Sequence, residues 1–117
     1  MVNDLEKRLF DFTVSVLKML RKIKACKETD VIRYQLSKSA TSTGANYREA
    51  QAGSSKADFI NKVGIAHKEI RETTYWLELL AELPPETPDI QQLLSESIEL
   101  SKIMAAILVK SKNLKNT

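Results

Sequence analysis

The chain has 117 residues, of which 43% are hydrophobic and 28% are charged, and its formal net charge is +3 at pH 7. These values are typical of a globular domain and exclude a disordered or collagen-like chain. A single cysteine, Cys26, excludes an internal disulfide and a multi-cysteine metal site. Because the sequence shows no long apolar run and no secretory signal, we expect a cytoplasmic protein that does not engage a membrane.

Apolar residues recur in steps of three and four through successive segments of the chain, which is the pattern of amphipathic helices. In the first segment the apolar stripe consists of Leu5, Leu9, Phe12, Val16, Met19 and Ile23. We predict one domain over residues 1–117 with helices at about 4–25, 31–52, 56–82 and 88–112. Short connections between helices of this length favour an all-α, antiparallel up-down-up-down four-helix bundle.

Capping residues set the predicted starts of the later helices. Thr29 or Asp30 is expected to cap the second helix and Ser55 the third, because their side chains can accept from free helical N–H groups. Thr87 is expected to cap the fourth helix, with Pro88 at its first position.

The second segment is rich in serine and threonine between residues 37 and 43, and these residues are poor helix formers. We nevertheless predict a helix because the flanking residues keep the helical step. Gly44 costs ~1 kcal/mol relative to alanine inside this helix. We expect a neighbouring helix to approach closely there and offset that cost.

The sequence shows no catalytic or metal-binding motif. The single histidine, His67, has a glycine three residues before it, so the Glu-x-x-His pattern of di-iron bundles is missing. Glu49, Glu69 and Glu72 are an alternative metal set, but we interpret them as structural because no histidine accompanies them. Cys26 is expected near a helix C-terminus, where nothing activates its thiol. We therefore predict a non-enzymatic protein with no cofactor and no metal.

Positive charge is concentrated where the first predicted helix meets the second. This basic cluster consists of Lys18, Arg21, Lys22, Lys24, Lys27 and Arg33. The first three members share one helix face because they are spaced i, i+3 and i+4. Clustered cations can neutralise phosphates, so the cluster is a candidate site for RNA or DNA. The alternative is a solvated helix face whose cations suit the helix dipole.

Tyr75 and Trp76 are the other distinctive feature, one or two positions away from Leu77 of the third apolar stripe. Large aromatic side chains at the edge of a core stripe have two ordinary roles. They either pack at a helix–helix edge within the chain or anchor a contact between subunits. The sequence leaves both roles open.

Three stretches are familiar: SATSTGANYREA at 39–50, SKADFI at 55–60 and IAHKEIRETTYWLELL at 65–80. Together they resemble the bacterial four-helix-bundle family first named for proteins encoded in intervening sequences of 23S ribosomal RNA genes. The resemblance covers the chain from about residue 10 to 108. It implies an up-down bundle that assembles into a ring-like homopentamer and has no catalytic residues.

The polar members of these motifs are Asn46, Glu49, Glu69 and Glu72, on the second and third predicted helices. Because buried polar groups must be paired, we hypothesise that these side chains form a partly buried network that fixes helix register. Two functions stay open. One is an oligomeric bundle that binds RNA or DNA through the basic cluster, and the other is a protein–protein adaptor or scaffold with no nucleic-acid role.

Overall fold

The computed structural model of the chain describes residues 4–53 and 55–115. These residues form four α-helices and no strand: α1 (Asp4–Arg21), α2 (Lys27–Gln51), α3 (Lys56–Glu82) and α4 (Ile90–Lys115). Consecutive helices pack against each other, and α4 closes on α1. The short connections make neighbours antiparallel, so the predicted all-α up-down-up-down bundle is confirmed. No helix among the described residues combines the length and the apolar character needed to cross a membrane.

The core lies along the bundle axis and is built from one stripe of each helix. Val16, Leu36, Ile70, Leu77 and Leu100 are fully buried. Their positions follow the steps of three and four read from the sequence, because those steps place side chains on one helix face. The bundle is elongated, with principal extents of 51 × 24 × 22 Å.

The first helix ends at Arg21 and not at residue 25 as predicted. The guanidinium of Arg33 donates hydrogen bonds to the carbonyl oxygens of Leu20 and Ile23, the latter at 2.9 Å. Because the last carbonyls of a helix have no partner within it, a side chain from α2 that satisfies them can end α1 at this point.

The second helix begins at Lys27, earlier than the predicted residue 31. Cys26 occupies the N-cap position, and its backbone N–H donates to the hydroxyl of Thr29 at 3.1 Å. The predicted cap at Thr29 or Asp30 is therefore wrong, since Thr29 lies inside the first turn and reaches back to the cap. Cys26 consequently lies at the start of α2 and not near a helix C-terminus.

The third helix has the predicted bounds, and the hydroxyl of Ser55 accepts from the N–H of Asp58 at 3.0 Å. The fourth helix starts at Ile90 instead of residue 88 and ends at Lys115 instead of residue 112. A turn precedes it, in which the N–H of Ile90 donates to the carbonyl of Thr87 at 3.3 Å and Asp89 has φ 66°. Since this turn places Thr87 and Pro88 outside the helix, their predicted capping roles are wrong.

The serine- and threonine-rich part of α2 is helical, with Ser39 and Thr43 buried in the interior and its hydroxyls bonded back to the same helix. The hydroxyls of Thr41 and Thr43 donate to the carbonyls four residues earlier, both at 2.8 Å. A Cβ built on Gly44 would meet the hydroxyl of Thr13 at 3.8 Å, an ordinary contact distance. Helix α1 therefore approaches α2 here through Thr13, which also donates to the carbonyl of Ala40 at 3.3 Å, but the contact leaves room for a methyl group and does not require glycine.

Candidate functional site

Five members of the basic cluster remain available at the end of the bundle where α1 leads into α2. We call them the exposed cations: Lys18, Arg21, Lys22, Lys24 and Lys27. No ion pair joins any of them to another residue that the structure describes. All five fall within residues 18–27, so their charges combine over a short stretch of surface and favour a polyanionic partner.

Arg33 is the sixth member of the basic cluster, and the structure uses it internally. Its guanidinium holds the carbonyls of Leu20 and Ile23, and its Nε lies 3.9 Å from a carboxylate oxygen of Asp30. Its side chain is only 29% exposed. Arg33 therefore joins α2 to the end of α1 and does not belong with the exposed cations.

Four cations elsewhere in the described part of the bundle are engaged in ion pairs, whereas others, such as Lys68 and Lys102, are not. Among the described residues these pairs are Lys7–Asp11, Arg8–Glu96, Arg8–Glu99, Arg48–Glu6 and Lys62–Glu49. They lie on the first half of α1, the last turns of α2, the start of α3 and on α4. The unpaired cations of residues 18–27 thus stand apart from this paired region.

A groove of about 610 Å³ lies beside the exposed cations, between the α1–α2 connection and the α3–α4 connection. We call it the end groove. Its apolar lining includes Met19, Ile23, Leu80, Leu83 and Leu93, together with the prolines of the α3–α4 connection. Sequence reasoning missed this groove because continuing α1 to residue 25 would have filled the space with helix. The run of prolines at 84, 85 and 88 was the available signal that the opposite wall is not helical.

The charged residues that line the end groove come from two sides. Lys18, Lys22 and Lys24 come from α1 and the connection that follows it, whereas Glu86 and Asp89 come from the α3–α4 connection. The groove therefore offers hydrogen-bond donors on one wall and carboxylate acceptors on the other.

The four polar residues of the hypothesised network are not joined to one another by any hydrogen bond within the described chain. The amide nitrogen of Asn46 donates to the carbonyl of Ser42 on its own helix at 2.8 Å. Glu49 pairs with Lys62 at 3.1 Å, and Glu72 accepts from Trp76 at 3.3 Å. At Glu69 the backbone carbonyl accepts from Thr73 at 2.9 Å.

Hydroxyls in the interior form two further polar contacts between the helices. The hydroxyls of Thr73 on α3 and Ser39 on α2 lie 2.8 Å apart, and those of Thr74 on α3 and Ser97 on α4 also lie 2.8 Å apart. These Ser–Thr pairs hold α3 to both neighbours. Sequence reasoning missed them because short hydroxyl side chains carry no obvious pairing signal.

Tyr75 and Trp76 have different surroundings. Trp76 is half-buried, packs against the core and donates its indole N–H to Glu72, so it acts within the chain. Tyr75 is 54% exposed, and its ring meets the ring of Trp76 edge to face with centroids 5.1 Å apart. Leu79, one turn further along α3, is also exposed. The surface around Tyr75 is therefore a candidate contact between subunits.

His67 is half-buried on α3. Its burial, and secondly the charge of Arg71, lower the pKa of its imidazole below the ordinary value. The described residues contain no group of three or more histidine, cysteine, aspartate or glutamate side chains placed to hold a metal ion. Glu49, Glu69 and Glu72 accordingly do not form a metal site in the described fold.

The architecture defines the protein as a small antiparallel four-helix bundle with one grooved, cationic end. The family model of the 23S rRNA-intervening sequence proteins matches residues 3–106, so the chain belongs to that family. It is similar to the crystal structure of a protein of unknown function from the S23 ribosomal protein family of Bacteroides thetaiotaomicron. The TM-score is 0.77 at 37% sequence identity, covering 89% of this chain and 97% of that one. No curated protein sequence matches the chain.

Proposed function

We propose that the protein is a non-enzymatic bundle that binds nucleic acid through the exposed cations. The observation that carries this proposal is that five exposed cations lie together within residues 18–27 and make no ion pair with other described residues. A cation that is already paired would have to give up its partner to bind a phosphate. The exposed cations can neutralise phosphates at no such cost.

Binding of this kind depends steeply on salt. For a single strand, log affinity falls with log salt concentration, and each phosphate neutralised makes the slope more negative by about 0.7. If all five exposed cations bind phosphate, raising the salt from about 50 to about 200 mM should weaken binding about a hundredfold. A solvated helix face without a phosphate partner would show no such slope.

The test replaces Arg21 and Lys27 with glutamine, since both are exposed and neither lines the end groove. We expect the double variant to bind single-stranded RNA more weakly. The magnitude of its salt slope should be smaller by about 1.4, because two fewer phosphates are neutralised. Fluorescence anisotropy across a salt series measures both quantities. The matched control is Lys68→Gln with Lys102→Gln, which removes the same charge from exposed positions elsewhere. Equal loss in both double variants, or no binding at low salt, would contradict the proposal.

A second proposal concerns assembly and rests on the exposed apolar surface of α3. Tyr75 and Leu79 are 54% and 36% exposed and lie one turn apart, so together they present a continuous apolar face. This face suits contact with a second copy of the chain, in a ring-like homopentamer as the family resemblance implies. An adaptor function would use the same face for a different protein.

Sedimentation velocity tests the assembly. We expect an oligomer whose mass falls when Tyr75 and Leu79 are both replaced by serine, because burial of large apolar side chains drives such contacts. Tyr34→Ser is the matched control, since Tyr34 is 65% exposed on α2. A native chain that sediments as a monomer would contradict self-assembly and favour the adaptor.

A further inference from the structure

We propose that the end groove receives the base of an unpaired nucleotide while Lys18, Lys22 and Lys24 contact its phosphates. This inference rests on the proposed function and extends it, because it names an unpaired nucleotide as the group that the end groove binds. The chemistry is that of a nucleotide, whether it is free or part of an RNA strand.

The size and shape of the end groove suit one nucleotide. Its volume of about 610 Å³ lies within the ~300 to 1,000 Å³ that is usual for small-molecule sites. The groove lies between two connections at the end of the bundle, so a ligand must enter it from outside. A base within a duplex is stacked and paired, whereas an unpaired base can be splayed out into a recess.

The lining of the groove suits the flat, apolar face of a base. Met19, Leu80 and Leu93 are buried and form a fixed apolar surface. Leu83 is 38% exposed at the edge of the groove, so a base that covers it removes apolar surface from water. The ring of Pro84 adds a second rigid apolar surface beside it.

The two charged walls match the two polar parts of a nucleotide. Lysine ammonium groups are donors only and suit phosphate oxygens. The carboxylates of Glu86 and Asp89 are acceptors and suit the N–H donors of a base, such as the ring N–H of uracil, and the ribose 2′-hydroxyl. A fatty acid would satisfy the lysines and the apolar lining but would offer these carboxylates no donor. A nucleotide satisfies all three surfaces at once.

Cys26 provides a reporter for the groove. It is the single cysteine of the chain, it is exposed, and it lines the groove. The experiment measures how fast its thiol reacts with N-ethylmaleimide, an uncharged reagent, in the presence of oligouridylate. An abasic oligomer of equal length is the control, because it keeps the phosphates and lacks the bases. We expect oligouridylate at saturation to slow the reaction at least about tenfold and the abasic oligomer to slow it less than about twofold.

Affinity gives an independent measurement. We expect Leu83→Ser to weaken binding of oligouridylate about tenfold, since the variant removes apolar surface that a bound base would cover. The same variant should leave binding of the abasic oligomer unchanged. Val109→Ser is the matched control, because Val109 is exposed on α4 away from the groove.

The outcomes separate this inference from the proposed function. Equal affinity and equal protection of Cys26 by both oligomers would overturn the groove proposal and leave phosphate binding by the exposed cations intact. No binding of either oligomer at low salt would overturn both. Protection by free uridine monophosphate alone would support the groove and assign it to a free nucleotide, whereas protection by oligouridylate alone would assign it to RNA.

Discussion

Thr73 and Ser39 lie opposite each other between α2 and α3, with their hydroxyls 2.8 Å apart and both side chains buried. Each hydroxyl has one proton to donate and can accept from others. Thr73 can direct its one proton to the hydroxyl of Ser39 or to the carbonyl of Glu69 at 2.9 Å. Ser39 can donate to the carbonyl of Leu36 at 3.4 Å. No buried side-chain nitrogen or oxygen in the described residues lacks a hydrogen-bond partner.

Thr73→Val should lower the free energy of unfolding by about 1 kcal/mol, because it leaves the hydroxyl of Ser39 with only a long contact to Leu36. The double variant with Ser39→Ala should cost less than the sum of the two single variants, since no hydroxyl is then left unpaired. Urea unfolding measures all three. Thr41→Val, at an exposed position, should change stability by less than about 0.5 kcal/mol. Strict additivity would show that the pair carries no coupling.

The lowered pKa of His67 predicts that the free energy of unfolding depends on pH. Its pKa is lowered in the folded state from the ordinary 6.5, so the unfolded chain binds the proton more tightly. Acidification through the region of pH 6.5 therefore favours unfolding, and the stability from this residue is recovered as pH rises above that value. His67→Gln should lose less stability than the native chain between about pH 7.5 and 5.5 in urea unfolding. Parallel curves for the two proteins would exclude this role.

Single residues show how much of the candidate site could be predicted from the sequence. The pattern of charges correctly located the cations near the α1–α2 junction, since exposed lysines on a helix follow from helical spacing. It could not show that Arg33 donates to carbonyl oxygens at the end of α1, because these hydrogen bonds depend on how α1 and α2 pack together. In the same way, the sequence motifs favoured Asn46 and Glu69 as polar residues that link α2 to α3. In the structure the hydroxyls of Ser39 and Thr73 make a polar contact between these two helices.

At the scale of helices, the boundary predictions succeeded where local chemistry decides. Ser55 at the start and a proline at residue 84 after the end fixed α3 at its predicted bounds. The other boundaries shifted where a contact from another part of the fold decides. Arg33 satisfies the end of α1, and the turn at Asp89 delays α4. The helix propensities of the local sequence could not predict the Arg33 contact or the turn at Asp89.

Gly44 offers a test of helix propensity within α2. A methyl group added at this position would lie 3.8 Å from its nearest neighbour, the hydroxyl of Thr13, so alanine fits without displacement. Gly44→Ala should raise the free energy of unfolding by about 0.5 to 1 kcal/mol, because glycine loses more backbone entropy on folding. Thermal unfolding measures the change. A fall in the free energy of unfolding would contradict this prediction and indicate that the added methyl group clashes with a neighbouring atom.

At the scale of the whole molecule, α1 is the shortest helix, with 18 residues against 25 to 27 in the others. Arg8 ties it to α4 through two parallel hydrogen bonds to the carboxylate of Glu96, both at 2.8 Å. A planar guanidinium and a carboxylate match in this geometry, whereas a lysine ammonium cannot reproduce it. Arg8 therefore adds a polar tie to the apolar packing that closes α4 on α1.

Arg8→Met should lower the free energy of unfolding by about 1 kcal/mol, a figure that allows for the partial exposure of the pair. Hydrogen exchange should rise most along α1, because that helix loses its tie to α4. Arg8→Lys should recover only part of the loss. Lys7→Met removes a fully exposed pair with Asp11 and should cost less than about 0.5 kcal/mol. Equal effects at residues 7 and 8 would argue against a specific tie.

The hydroxyl contacts on both sides of α3 have a consequence for how the protein behaves in solution. Serine and threonine hydroxyls do not ionise under ordinary conditions, and salt screens only charges. The hydroxyl contacts on both sides of α3 therefore carry no net charge and should persist when salt or pH is changed. The Lys62–Glu49 pair between α2 and α3 is a contact of these seams that salt can weaken. Titrations with salt will then report on the charged surface of an intact bundle and not on a loosening of its interior.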